Sequence, residues 1–432
     1  MEKSKKRPST NTKTFTTRLI PALALGAFLG MTILLSPPLI HCAILLAAVT
    51  EAGTVRGETP SPQPQQAVQP ILQITWKLGP DLPQGLQDSE VGLLGNQLLL
   101  VGGFCQGFDD HLKPGRYPRG FLKKAWALDL DHSAKGWTLL PDFPGAARQG
   151  LFGMPASQGL YCWGGINYTA PFCHRDGYRL SHRQGKWVWE ELPPLPYPLY
   201  APGFCAMGNR IYICGGSDYD SERFYTETDR AKITQRLGAQ LWVFDTEMPK
   251  PGWKRLSACP GTPRFTPAMA AVHGEIYLIG GATGDPYCTV VDNWAYDPST
   301  DRWTRLRDLP ISSGNFWGGR IVWKDRYLLL LGGFQYDKVA NPDGTVRAKY
   351  GEASRLEGRG AYFNDVFVYD TSHDLFGTAD SMPINNNTPM TLVRGNEVLA
   401  LGGECDARQI QGRYYGHHPD LFLRGQIREI NH

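Results

Sequence analysis

The chain has 432 residues, with 44 lysines and arginines against 41 aspartates and glutamates and a net charge of +3. That near balance gives no nucleic-acid signature, so nucleic acid is not an expected partner. The 49 glycines, 33 prolines and 11% aromatic content suit many short strands joined by turns, and no helix-rich second domain is visible.

Residues 1–18 are basic and polar, Leu19–Leu35 is apolar, and a second apolar run, Leu39–Val49, follows Ser36-Pro37-Pro38. Residues 1–52 read as an export signal cleaved near Ala48–Ala52. An uncleaved anchor is the alternative, because the two runs together reach the ~20 apolar residues that a membrane span needs. His41 stands where a lipoprotein signal wants a small residue, so Cys42 is not read as lipidated. Residues 53–71 are rich in proline and glutamine and read as a linker. The expected location is outside the cytoplasm, in the periplasm or cell envelope, with membrane contact only through the N-terminal segment if it is retained.

From residue 72 to residue 432 one unit recurs. Trp76 and Pro83, Trp137 and Pro144, Trp189 and Pro196, Trp253 and Pro260, and Trp303 and Pro310 share one spacing, which Phe376 and Pro383 keep. Between them lie six diglycines: Gly102-Gly103, Gly164-Gly165, Gly215-Gly216, Gly280-Gly281, Gly332-Gly333 and Gly402-Gly403. Apolar runs such as Gln97–Val101, Ile211–Cys214 and Tyr327–Leu331 precede them. Residues 265–309 predict four strands: Ala268–Val272, Glu275–Ile279, Val291–Tyr296 and Trp303–Leu306. The diglycine ends the second strand where backbones crowd, and the tryptophan packs between neighbouring sheets. A fourth-strand pattern, Trp76–Pro83, precedes the first diglycine. The last diglycine is followed by Asp420–Ile430, which supplies a third strand but no fourth. The N-terminal strand is therefore expected to complete the last sheet, which removes its open edge.

The diglycine after an apolar strand, with a tryptophan further on, resembles the Kelch motif, whose period is about 50 residues. The resemblance implies an all-β, six-bladed Kelch β-propeller, closed by the N-terminal strand pairing into the last blade. The diglycines are 51 to 70 residues apart, so the excess lies in loops. Those between the second and third strands hold most of it: Phe104–Lys124, Ile166–Gly177, Ser217–Ala239, Phe334–Phe363 and Glu404–Pro419. Function concentrates in such loops on a rigid scaffold.

These loops carry many arginines, whose planar fork suits a carboxylate, with aromatic rings that suit a sugar face. Arg408 and Arg413 lie there, while Arg148, Arg264, Asn315, Trp317 and Asn387 precede first strands on the same face. All seven are candidate substrate-binding residues. Glu404 and His418 are the candidate catalytic pair, with His417 as the alternative partner. Eight cysteines follow the signal region. Cys162 and Cys214 read as core residues, a Cys105–Cys405 bridge is left open, and the absence of a CxxC pattern argues against a metal site. No cofactor is expected.

Six repeats, the export signal and the arginine-rich face are similar to the bacterial N-acetylneuraminate mutarotases (epimerases), which interconvert the anomers of a sialic acid. Gly402-Gly403-Glu404 matches that family's glycine-glutamate element. Neither Arg408 nor Arg413 reproduces its arginine spacing. The resemblance implies a small, carboxylated carbohydrate as partner and acid-base catalysis. Two alternatives stand beside it. One is a non-enzymatic glycan- or protein-binding module of the cell envelope. The other is a copper-radical sugar oxidase, which six repeats and scarce loop histidines disfavour.

Overall fold

A computed structural model describes residues 68–430, apart from 111–112, 157, 170, 220–234, 285–286, 312, 315, 317–320 and 349–361. The signal and most of the linker lie outside these residues. Among the described residues no helix is long and apolar enough to cross a membrane.

Six four-stranded antiparallel sheets carry the repeats. The fourth shows the pattern: Ala268–Val272, Glu275–Ile279, Asn293–Asp297 and Arg302–Leu306 pair in chain order. The first two are the predicted strands. The third starts two residues later than expected because Asp292 is taken up by an ion pair. The sixth sheet is assembled differently. Met390–Arg394, Glu397–Leu401 and Phe422–Glu429 are followed in space by Leu72–Leu78, which pairs with Phe422–Glu429 from Leu72↔Glu429 to Leu78↔Leu423. The N-terminal strand thus completes the last sheet, as the sequence pattern requires. A seventh four-stranded sheet is built from loops, joining Ala282–Thr283 and Cys288–Val290 of repeat four to Lys338–Ala340 and Val346–Ala348 of repeat five.

Two recurring bonds link the sheets. In four repeats the strand-four tryptophan indole donates to a carbonyl of the preceding sheet, Trp189 to Pro141, Trp303 to Ser257, Trp137 to Asp81 and Trp76 to Asp380, while the Trp253 indole makes no such bond among the described residues. Phe376 fills that place in repeat five and forgoes the bond. In addition, the second glycine of five of the six pairs donates its N–H to the loop before the next sheet's first strand. Gly103 reaches Arg148, Gly165 reaches Leu199, Gly216 reaches Arg264, Gly333 reaches Asn386, and Gly403 reaches Leu86 of repeat one. Gly403 has φ +100, and a Cβ there would stand 2.1 Å from Asn386 Oδ1. Only glycine fits.

The core lies within and between the sheets, with Leu98, Leu99, Leu100, Ile276, Leu278 and Leu399 fully buried. All eight described cysteines are buried, and none is in a disulfide. The Cys105–Cys405 bridge is therefore not formed. Burial pushes the Cys405 thiol well above its usual range, as expected of an inert core residue.

Candidate active site

In each repeat, the residue after the diglycine forms a bridge to the loop before that repeat's first strand. The pairs are Gln87↔Phe104, Gln149↔Ile166, Tyr200↔Ser217, Phe265↔Ala282, Gly314↔Phe334 and Asn387↔Glu404. Five repeats place a neutral residue after the diglycine, and the sixth places Glu404.

Glu404 is held by donors on every side. Asn387 Nδ2 donates to Oε2 at 3.0 Å, His417 Nε2 lies 3.2 Å from Oε1, and the Tyr362 hydroxyl also donates to the carboxylate. Burial raises the carboxyl's pKa, but the bonds from His417, Tyr362 and Asn387 outweigh it and bring the value down to about 2. The other ring nitrogen of His417, Nδ1, lies 3.2 Å from the Cys405 carbonyl oxygen, which can only accept. Both nitrogens thus face oxygens. The ring is sandwiched by Phe108 at 5.1 Å and His418 at 4.7 Å.

The residue that sequence reasoning missed is Asp88. It occupies, with φ +51, the position two residues before the first strand that Gly150, Ala201, Thr266 and Thr388 hold elsewhere, also at positive φ. Its carboxylate is buried and receives Gln149 Nε2 at 3.2 Å, Thr388 Oγ1 at 3.2 Å and Tyr200 OH at 3.4 Å. These donors come from the loops of repeats two, six and three, so four repeats converge on this carboxyl. Burial, then the charge of Glu404, lifts it from 3.8 to about 7 despite the bonds from Thr388 and Tyr200. Two carboxylates in one site are thus pushed apart, one to a strong acid and one to a group that titrates near neutrality. Such divergence marks an acid and a base. It was legible only by aligning the loops, where Asp88 stands alone among small residues.

His418 is brought to the site but not to the expected role. Its Nδ1 accepts the Gln106 backbone N–H at 2.8 Å, which fixes the proton on Nε2. Burial, then the charge of His417, lowers its pKa to about 3, so it stays neutral and His417 is the partner of Glu404. Asn387 is in the site, with its Oδ1 buried and unpaired. Arg148 and Arg264 are not available to a ligand through their guanidiniums. Arg148 donates to Ala146 O, to Gly164 O and to both oxygens of Asp176. Arg264 repeats this with Thr262 O, Gly280 O and Asp292. In both repeats the aspartate follows the arginine by 28 residues. These are buried clamps for their own sheets. Arg413 is paired with Asp420 and Asp81. Arg408 makes no side-chain hydrogen bond to a described residue and lies on the Glu404 loop. Asn315 and Trp317 lie outside the described residues.

Glu404, His417 and His418 have ligand atoms within 4.8 Å of one another, the one group among the described residues with metal-like spacing. The rings are stacked at 20°, and the His418 Nδ1 already receives a backbone N–H. This set is better made for sharing protons than for enclosing an ion. A recess of about 530 Å³ bounded by Leu72, Asp380 and Arg428 holds none of these residues.

A Kelch motif matches residues 263–310. N-acetylneuraminate epimerases of two Haemophilus influenzae strains align over most of the chain. One is 22% identical over 355 residues, the other 25% over 356, and each match spans 76% of this chain and 88% of the relative. The solved structure of YjhT superposes with a TM-score of 0.59 at 15% identity, covering 82% of this chain and all of that one. This chain is an all-β Kelch propeller that resembles the N-acetylneuraminate epimerases. Human Kelch-like protein 30 is 38% identical, but over 114 residues, or 26% of this chain and 17% of the relative. Kelch repeats alone are thus shared with proteins of other names, and the acid pair has to carry the functional reading.

Proposed function

We propose that this protein is a mutarotase for a carboxylated sugar such as N-acetylneuraminate, working at the end of a six-bladed ring where the loops converge. The glycine bond from Gly403 to Leu86 and the Leu72–Leu78 pairing support a ring closed by the N-terminal strand. Export to the periplasm or envelope rests on residues 1–52.

The observation that carries the reading is the divergence of Asp88 and Glu404, two buried carboxylates close enough for the charge of one to raise the other. Anomer exchange requires a proton to leave the anomeric hydroxyl and another to reach the ring oxygen. The ring then opens, the carbonyl carbon rotates, and the steps reverse. The Glu404–His417 pair takes the hydroxyl proton. Asp88, about half protonated near neutrality, supplies the ring oxygen, with the Tyr200 hydroxyl as the link. The hydroxyls of Tyr200 and Thr388 can turn to donate or accept, so the cage tolerates both states of Asp88. Protons are exchanged and returned, and no cofactor is consumed. Arg408 is left to meet the sugar carboxylate.

The test is proton NMR of freshly dissolved N-acetylneuraminate with and without residues 72–432. Faster equilibration that is lost in Glu404→Gln, with the fold intact by circular dichroism, supports the reading. No acceleration by the folded wild type would overturn it and favour a binding module on the same loops.

A further inference from the structure

Beyond the carboxylate cluster, aromatic rings continue outward in a connected series. Tyr362, which bonds Glu404, lies 5.8 Å from Phe334, and Phe334 lies 4.7 Å from Tyr336. Tyr336 stacks on Tyr287 at 5.9 Å and 16°, and Phe265 meets Tyr287 edge-on at 6.4 Å. The series starts at the acid pair in repeat six and ends in repeat four. Its outer member, Tyr287, is 38% exposed, although a tyrosine has enough apolar surface to favour burial. It sits between Gly284 and Cys288–Val290, whose strand joins the seventh sheet. That sheet ties the loops of repeats four and five together, and the stacked Tyr287 and Tyr336 lie in those loops, directly before Cys288–Val290 and two residues before Lys338–Ala340.

We propose that Tyr287 and Tyr336 form an outer sugar subsite, so that the preferred ligand is an oligosaccharide whose reducing end reaches Glu404. This rests on the mutarotase reading for the identity of the inner unit, but not for the subsite itself. A pyranose presents an apolar face of C–H groups on one side and hydroxyls around its edge. A fixed ring pair matches the face and leaves the hydroxyls in water. A single sugar in contact with the Glu404 cluster would not need rings extending to repeat four. Rigid aromatic surface also costs little entropy on binding.

The experiment uses three probes with the full chain. They are N-acetylneuraminate, a disaccharide in which a second such unit is glycosidically linked to a hydroxyl of the first, and the same disaccharide with its reducing carbonyl reduced to an alcohol. The third cannot anomerise, and its binding is read by calorimetry. The disaccharide is expected to bind about ten-fold tighter than the monosaccharide, a difference of about 1.4 kcal/mol. Tyr287→Ala should remove most of that preference in both reduced and unreduced forms. Equal affinity for one and two units, or a Tyr287→Ala variant that weakens both alike, overturns the subsite. If the reduced disaccharide binds through Tyr287 while no probe anomerises, the subsite stands and the mutarotase reading falls. If anomerisation occurs with no disaccharide preference, the reverse holds.

Discussion

Repeats four and six use the same backbone positions for opposite ends. In repeat four, Arg264 precedes the bridge Phe265↔Ala282 and spends its guanidinium on Asp292, with both side chains almost completely removed from water. In repeat six, Asn386 occupies the arginine's place and still donates to the glycine carbonyl, here Gly402 O at 2.8 Å. With no arginine to absorb a carboxylate locally, the acid moves onto the bridge as Glu404, where Asn387, Tyr362 and His417 meet it. The position before the bridge thus builds a clamp in repeat four, whereas in repeat six the bridge itself carries a carboxylate, held by Asn387 and His417 of the same repeat and by Tyr362 of repeat five.

The sharpest break of this comparison is Glu404→Gln. It should lower the anomerisation rate by about 10²- to 10⁴-fold and also lower the unfolding midpoint, since the carboxylate that folding stabilises is lost. Next, Asp292→Ala should destabilise the fold by about 3–5 kcal/mol in denaturant titration, because it strands the buried Arg264 charge. Its counterpart Asp176→Ala should cost less, about 1 kcal/mol, since Asp176 is 34% exposed and water screens the charge left on Arg148.

Between these lies a pH experiment. Asp88 has its pKa raised by folding from 3.8 to about 7. The folded protein therefore holds a proton that the unfolded chain has lost, and this group makes stability fall as pH rises from about 4 to about 7. Glu404 is lowered from 4.5 to about 2, so its contribution is complete above about 4.5 and is lost as pH falls towards 2. Asp88→Asn should abolish the neutral limb, raising the unfolding free energy at pH 8 by a few kcal/mol, and should flatten the fall of activity above pH 7. An unchanged stability profile would show that Asp88 is not the group titrating there. The smallest effect is expected for Lys324→Ala. Its pair with Glu429 at 2.9 Å joins two half-exposed side chains and should contribute less than about 1 kcal/mol.

The strands of repeat four, the diglycine role and the completion of the last sheet by Leu72–Leu78 were legible because they follow from local pattern and chain count. Glu404 was legible from its place after the diglycine. Its partner was not, because His417 and His418 are adjacent and only the loop's path decides which ring meets the carboxylate. Arg148 and Arg264 looked available because their aspartates lie 28 residues on, across a strand and a loop. The shared interval was present in the sequence, but it acquires meaning only once the strand register brings its ends together. Asp88 depends on loops of repeats that no local window joins, which is why a single acid among turn residues carried no signal.

The pairing of Leu72–Leu78 with Phe422–Glu429 has a consequence for synthesis. A strand made early has its sheet partner made last. Repeats one to five can form their sheets as they emerge from the ribosome, while the first strand waits with an unpaired edge through nearly the whole of translation. Waiting edges invite foreign strands. A chain stalled before Phe422 should be the species most prone to aggregate and the one most dependent on a chaperone, however well its finished repeats have folded.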